Sequence, residues 1–284
     1  MWKGWIMNRI EILEKIKEKE AAGDFNSHIV ETNQNFKEVS PDYDYLRKHF
    51  WNQLGSCFAK PVFSTASFFI ARYCHLKIYG KENLKKVDRA IVTTNHINNI
   101  DCALIRNATR GRKLTITVGE FNNYKGVFGS LLRAAGTMPF SDKPSCMRNI
   151  SRAIKTRLEQ KHLVVFYPEG SLWWCYRKPR PLQDGAFYFA TKSNVAVLPM
   201  FFTFSDRKKR KDGTYKQNFY LHIGEPIYPK EELNLRENVE YLRKANEQFN
   251  QDTYNKFYGI VEENTQTKLQ IIHKSKKLRK NIKK

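Results

Sequence analysis

Between residues 76 and 226 the apolar positions of this 284-residue chain gather into short continuous runs that read as buried strands. They are LKIYG, ending at Gly80; RAIVTT, Arg89–Thr94; LTITV, Leu114–Val118; LVVFY, Leu163–Tyr167, stopped by Pro168; and VAVLP, Val195–Pro199. FFTF and FYLHIG flank KDGT and predict a hairpin with Asp212-Gly213 at the turn. Between these runs the spacing becomes helical. Short helices are predicted over Asp101–Thr109, Val127–Ala135 and Gly185–Thr191, and a longer one over Ser145–Gln160, with Ile150, Ile154 and Leu158 on one face. Strands alternating with helices specify an α/β fold, a mostly parallel central sheet flanked by helices. A helix from about Lys230 to Tyr258 closes it.

Upstream the pattern changes. Residues 1–40 start helical and turn polar and loop-like. Two charge-free runs follow, His49–Ala59 and Pro61–Ala71, separated by Lys60-Pro61. Each is shorter than the roughly 20 apolar residues a membrane crossing needs. The expectation is an N-terminal helical pair dipping into one leaflet, with Trp51, Phe58, Phe63, Phe68 and Phe69 as its apolar payload. An ordinary pair packed on the core is the alternative. The predicted organisation is a helical, membrane-associating segment (1–75), an α/β domain (76–228), and a C-terminal helix with a basic tail (229–284).

Charge narrows the partners. Fifty Lys and Arg against 28 Asp and Glu give a net charge of +22, which favours an anionic membrane face, phosphorylated substrates or nucleic acid. No helix-turn-helix, zinc-finger or RNA-binding aromatic signature supports the last. The lysine-rich tail HKSKKLRKNIKK reads as a fraying terminus; as a membrane clamp it would add ~1 kcal/mol per basic residue near an anionic surface. The five scattered cysteines have no C-x-x-C spacing and read as free thiols in a reducing compartment. No secretory signal is apparent, and the Lys/Asn-rich composition suggests an AT-rich bacterial genome.

The candidate chemistry lies at strand ends. NHINNID, Asn95–Asp101, follows the strand AIVTT and sets His96 and Asp101 five positions apart. On one continuous helix these would diverge. They meet if His96 lies on the turn leaving the strand and Asp101 in the first helical turn. An aspartate accepting from one ring nitrogen fixes the tautomer and makes the other nitrogen a base for a hydroxyl attacking a carbonyl. The spacing alone is equally that of a surface histidine beside an N-capping aspartate. A second cluster, FYPEGS, Phe166–Ser171, ends another buried strand. Ligands of parallel sheets bind outside the carboxyl ends of strands, so both clusters belong to one edge. There Glu169 binds an acceptor or braces the loop, and Gly170 admits close backbone approach.

The two clusters, followed by VAVLP, resemble the glycerolipid acyltransferase superfamily that includes the 1-acylglycerol-3-phosphate acyltransferases. Asn95, His96 and Asp101 match its N-H-x-x-x-x-D block, FYPEGSLW matches in part its F-P-E-G-T-R block, and Val197-Leu198-Pro199 its apolar V-P strand. GAFYFA is also similar, and the resemblance runs from about Leu76 to Pro226. It implies that His96 is the general base and Asp101 its partner, with Asn95, Glu169, Gly170 and Ser171 around the substrate. It also implies a fatty acyl thioester of coenzyme A or acyl carrier protein as donor, a lysolipid or glycerol-phosphate hydroxyl as acceptor, and attachment to the cytoplasmic face of the cell membrane, peripheral or monotopic. Neither metal nor further cofactor is implied. No G-x-S-x-G is present, so a serine-hydrolase layout is not expected. Two arginines of the family pattern, thought to hold the acceptor's phosphate, are missing: Asp142 and Lys143 stand near one place and Leu172 at the other. Lys143 and Arg177 are the expected replacements, with Arg148, Lys178 and Arg180 nearby. Trp173, Trp174 and Tyr176 are expected either to wall a pocket or anchor at the lipid interface, or to be packed aromatics of a solvated basic loop. Arg133 reads as a surface charge. The competing readings are a non-catalytic membrane protein on the same fold and a basic nucleic-acid-binding protein.

Overall fold

The computed structural model describes residues 8–30, 32 and 34–281, with side chains described as far as residue 259. In chain order the elements are α1 (Arg9–Ala21), α2 (Phe50–Tyr73), β1 (Lys77–Tyr79), β2 (Ala90–Thr93), α3 (Asp101–Ala108), β3 (Lys113–Gly119), α4 (Gly126–Ala134), β4 (Thr137–Phe140), α5 (Pro144–Glu159), β5 (His162–Phe166), α6 (Gly185–Lys192), β6 (Val197–Lys209), β7 (Tyr215–Ile223) and α7 (Leu235–Asn281). The seven strands form one sheet in the order β1-β7-β6-β2-β5-β3-β4. Every pairing is parallel except the β6–β7 hairpin, so the α/β expectation holds. The central strands β2 and β5 are buried at every position, because helices cover both faces.

The sequence pattern missed β4. Its four residues include Pro139, and a proline tolerates a strand only where its absent N–H has no ladder to serve. β4 is an edge strand paired only with β3, which supplies that exemption. VAVLP and FFTF are one strand, not two. Pro199 stands where β6 leaves β2, at Thr93–Pro199, and joins β7, at Met200–Ile223, so the missing donor falls between two ladders.

The predicted N-terminal helical pair is a single helix. Pro61 lies inside α2, which runs unbroken for 24 residues. A proline removes one helical hydrogen bond, and here the turns on either side of it are held by packing. Ala59, with Phe63, meets Ala134 and Ala135 at the end of α4, while Ala71 enters the main core. The outer face of α2 is apolar and open: Phe50, Trp51, Phe58, Val62 and Phe69 are each at least 64% exposed. The helix is long and apolar enough to cross a membrane by length and composition. α1 belongs elsewhere. It begins with a capping box between Asn8 and Glu11, and Ile12 and Ile16 pack with Trp173 and Trp174. α7 continues well past the predicted end at Tyr258, carrying the backbone of most of the lysine-rich tail as helix instead of a frayed end. Residues 1–7 and 282–284, at the two ends of the chain, lie outside the described residues.

The edge of the sheet formed by the strand N-termini holds a buried histidine. His162 opens β5, with Nδ1 2.9 Å from the Thr115 hydroxyl. Burial, with Arg157, Lys60 and Lys113 adding to it, pushes its pKa from 6.5 down to about 3. The unfolded chain therefore binds this proton more readily. The resulting stability is full above about 6.5 and is lost as pH falls toward 3. Thermal melts across that window should fall more steeply for wild type than for His162→Gln, and parallel curves would refute the assignment.

Candidate active site

Four local devices place His96. β2 ends at Thr93, and Thr94 N–H donates to Phe166 O of β5 at 3.1 Å. The Asn95 side chain then pairs with β6 as a strand would: Oδ1 accepts from Phe202 N–H at 2.7 Å and Nδ2 donates to Phe202 O at 2.9 Å. Asp101, the first residue of α3, gathers the turn from the other side. Its Oδ2 accepts from the backbone N–H of Ile97 at 2.8 Å and of Asn98 at 2.9 Å, and lies 3.0 Å from His96 Nδ1. The ring of His96 is also stacked on Tyr167, with centroids 4.2 Å apart.

Asp101 is fully buried while the His96 side chain is a quarter exposed, so the imidazole is the reachable member of the pair. Burial raises the Asp101 pKa, and the His96 ring with the two turn amides opposes that rise. With Nδ1 committed to the carboxylate, Nε2 is left to take a proton from a substrate hydroxyl.

The FYPEGS cluster supports this turn from beneath. Glu169 is buried; its Oε2 accepts from His96 N–H at 3.2 Å and from Arg180 Nη2 at 2.7 Å, and its Oε1 from Arg180 N–H at 3.3 Å. The Arg180 guanidinium lies 4.8 Å over the Trp173 ring and also donates to Ser171 Oγ and Phe25 O. Gly170 turns the chain with φ +77°, a region side chains disfavour, and a Cβ there would lie 2.6 Å from the Gln183 amide. Backbone bonds Trp173 N–H to His96 O and Cys175 N–H to Ile97 O, at 3.0 and 2.9 Å, lace the two loops together.

The fold thus brings Asn95, His96, Asp101, Glu169, Gly170 and Ser171 to one sheet edge. It gives Asn95, Glu169 and Ser171 mooring partners within the protein. Lys143 and Arg177 are held elsewhere: Lys143 pairs with Glu38 and lies 3.8 Å from Glu120, while Arg177 pairs with Asp206 at 3.1 Å over Phe204 and Tyr258. Lys178 pairs with Glu20 of α1, and Arg148 stays exposed beside Arg152. Arg180 is consumed by Glu169, both side chains being 1% exposed. Trp173 and Trp174 are buried against α1 and Phe25 instead of walling an open pocket. Arg133 is more than a surface charge, since it donates at 2.8 Å to both Asn123 Oδ1 and Tyr124 O. The Arg180 brace, which joins Glu169 to Phe25, went unread in the sequence. Its partners lie 11 to 155 positions away, with no period to mark them.

A histidine–aspartate pair at the carboxyl edge of a parallel sheet, beside a P-E-G turn, is an arrangement that can deprotonate a substrate hydroxyl. Residues 75–203 match the family model described as Acyltransferase, so this part of the chain is an acyltransferase domain. Among solved structures the chain is similar to the 1-acyl-sn-glycerophosphate (LPA) acyltransferase PlsC from Thermotoga maritima. The identity is 17% and the TM-score 0.48, over 71% of this chain and 79% of that one. No curated protein matches it.

Proposed function

We propose that the protein moves a fatty acyl group from a thioester of coenzyme A or acyl carrier protein to the hydroxyl of a lysophospholipid or a glycerol-phosphate-like acceptor at a membrane surface. The observation that carries this is the 3.0 Å contact between His96 and fully buried Asp101 at the sheet edge of an acyltransferase domain. His96 Nε2 takes the acceptor's hydroxyl proton as its oxygen attacks the thioester carbonyl. The tetrahedral intermediate collapses with expulsion of the thiolate, which receives the proton from the imidazolium. Asp101 orients the ring and stabilises its charged form. Backbone N–H groups of the strand-end turns are the natural donors to the oxyanion. The test is transfer from labelled acyl-coenzyme A and acyl carrier protein thioester to a panel of lysolipids and glycerol phosphate. Wild type should make product that His96→Ala does not; product from both would end the reading.

Attachment is assigned to the open face of α2. Its inner side is packed on α3 and α4, so the helix lies along the domain with its aromatics turned outward, and Val127 and Phe128 of the neighbouring α4 are exposed as well. This is the geometry of a helix lying in the interface, and the cytoplasmic leaflet's anionic lipids complement the net charge of +22. Each large side chain buried in lipid contributes about 1.5–3 kcal/mol. Trp51→Ser and Phe58→Ser should therefore each weaken binding to anionic vesicles about tenfold or more, by co-sedimentation. Unchanged partitioning of the double variant would remove α2 from the contact.

A further inference from the structure

At the sheet edge opposite His96, a cavity of about 40 Å³ lies under α2, enclosed by the starts of β3, β4 and β5 and by the segment preceding α2. Arg47, Lys60, Arg133 and Arg157 line it, together with Tyr45 and His162, and among the described residues no carboxylate does. Gln53, Ser56 and Lys60 recur at helical spacing, so one face of α2 closes the cavity.

The guanidinium groups there are not paired with acids. Arg47 spends its guanidinium on Ser130 O and Asn52 Oδ1, and Arg157 on Tyr45 O, Leu46 O and Gln160 Oε1, all uncharged acceptors. The neighbouring Asp44 carboxylate accepts from the backbone N–H of Arg47. Among the described residues, the Nε donors of both arginines and the hydroxyl of buried Tyr45 have no hydrogen-bond partner. Burial lowers the pKa of both guanidinium groups, Arg133 acts in the same direction on Arg47, and Asp44 opposes the shift on both. Gathering like charges around unpartnered buried donors is costly unless an anion completes the site.

We propose that this cavity is a binding site for one phosphate-class oxyanion, separate from the acyl-transfer site, whose occupant ties α2 to the sheet. The volume holds roughly three waters at ~10–15 Å³ each, the size of a single phosphate group and too small for a nucleotide. The two unpartnered guanidinium Nε donors and a lysine suit such an oxyanion. The phosphate could be free in solution or belong to a lipid headgroup reached from beneath α2.

Full-length protein in detergent, titrated with inorganic phosphate against chloride at constant ionic strength, tests this by calorimetry and thermal melting. Saturable binding with a rising Tm is expected, and Lys60→Gln and Arg157→Gln should each weaken it about tenfold. Lys60→Gln, on the helix surface with no hydrogen bond to lose, guards against a folding defect in Arg157→Gln. A second arm compares vesicles containing phosphatidic acid with phosphatidylcholine alone. A response to phosphate identifies the free ion. A response only to phosphatidic acid, lost in both variants, identifies the headgroup. No response in either arm, equal responses to phosphate and chloride, or binding unaffected by both substitutions would overturn the proposal.

Discussion

His96→Ala is expected to lower acyl transfer about 10²–10⁴-fold, the range a positioned general base contributes, with the melting curve little changed. The second half follows from where His96 sits. Its ring is partly exposed, while the turn that carries it is fixed by Asp101, Glu169 and the bonds to residues 173 and 175 through backbone atoms that alanine keeps. Asp101→Asn tests the orienting role separately. The amide still accepts from Ile97 and Asn98 but no longer stabilises an imidazolium, so the rate should fall within the same range. Full activity of His96→Ala would move the general base elsewhere, full activity of Asp101→Asn would remove the orienting role, and loss of folding in His96→Ala would recast the histidine as structural.

The readable features had a period or a local rule. Buried runs of Val, Ile and Leu marked β2, β3 and β5, and a histidine leaving such a run with an aspartate one turn later marked the dyad. What could not be read was set by distant partners. Pro139 and Pro199 are harmless only because one lies on an edge strand and the other between two ladders, facts of sheet order absent from any local window. Lys60-Pro61 looked like a helix end because the contacts of Ala59 with Ala134 and Ala135, far along the chain, were invisible. The same limit misassigned charges. Arg180 resembled a free phosphate ligand until its fork was found closed on Glu169, and the tryptophans resembled a pocket wall until α1 was found over them.

Arg180→Met should be the most destabilising substitution near the site. Both partners of the Arg180–Glu169 pair are 1% exposed, and cutting a buried pair leaves the remaining charge without water or counterion, a cost of about 3–5 kcal/mol. In a domain of this size that corresponds to a Tm lower by about 6–20 °C. Catalysis should suffer through geometry, since Glu169 Oε2 holds the His96 N–H and loses the cation that fixes it in place. Pairing Arg180→Met with Glu169→Gln removes the orphaned charge and keeps an acceptor for His96 N–H. The double variant should therefore melt higher than Arg180→Met alone, with a coupling of about 0.5–3 kcal/mol. Additive losses would mean that the two side chains act independently. The pair would then be packing around Trp173 and not the brace of the catalytic turn.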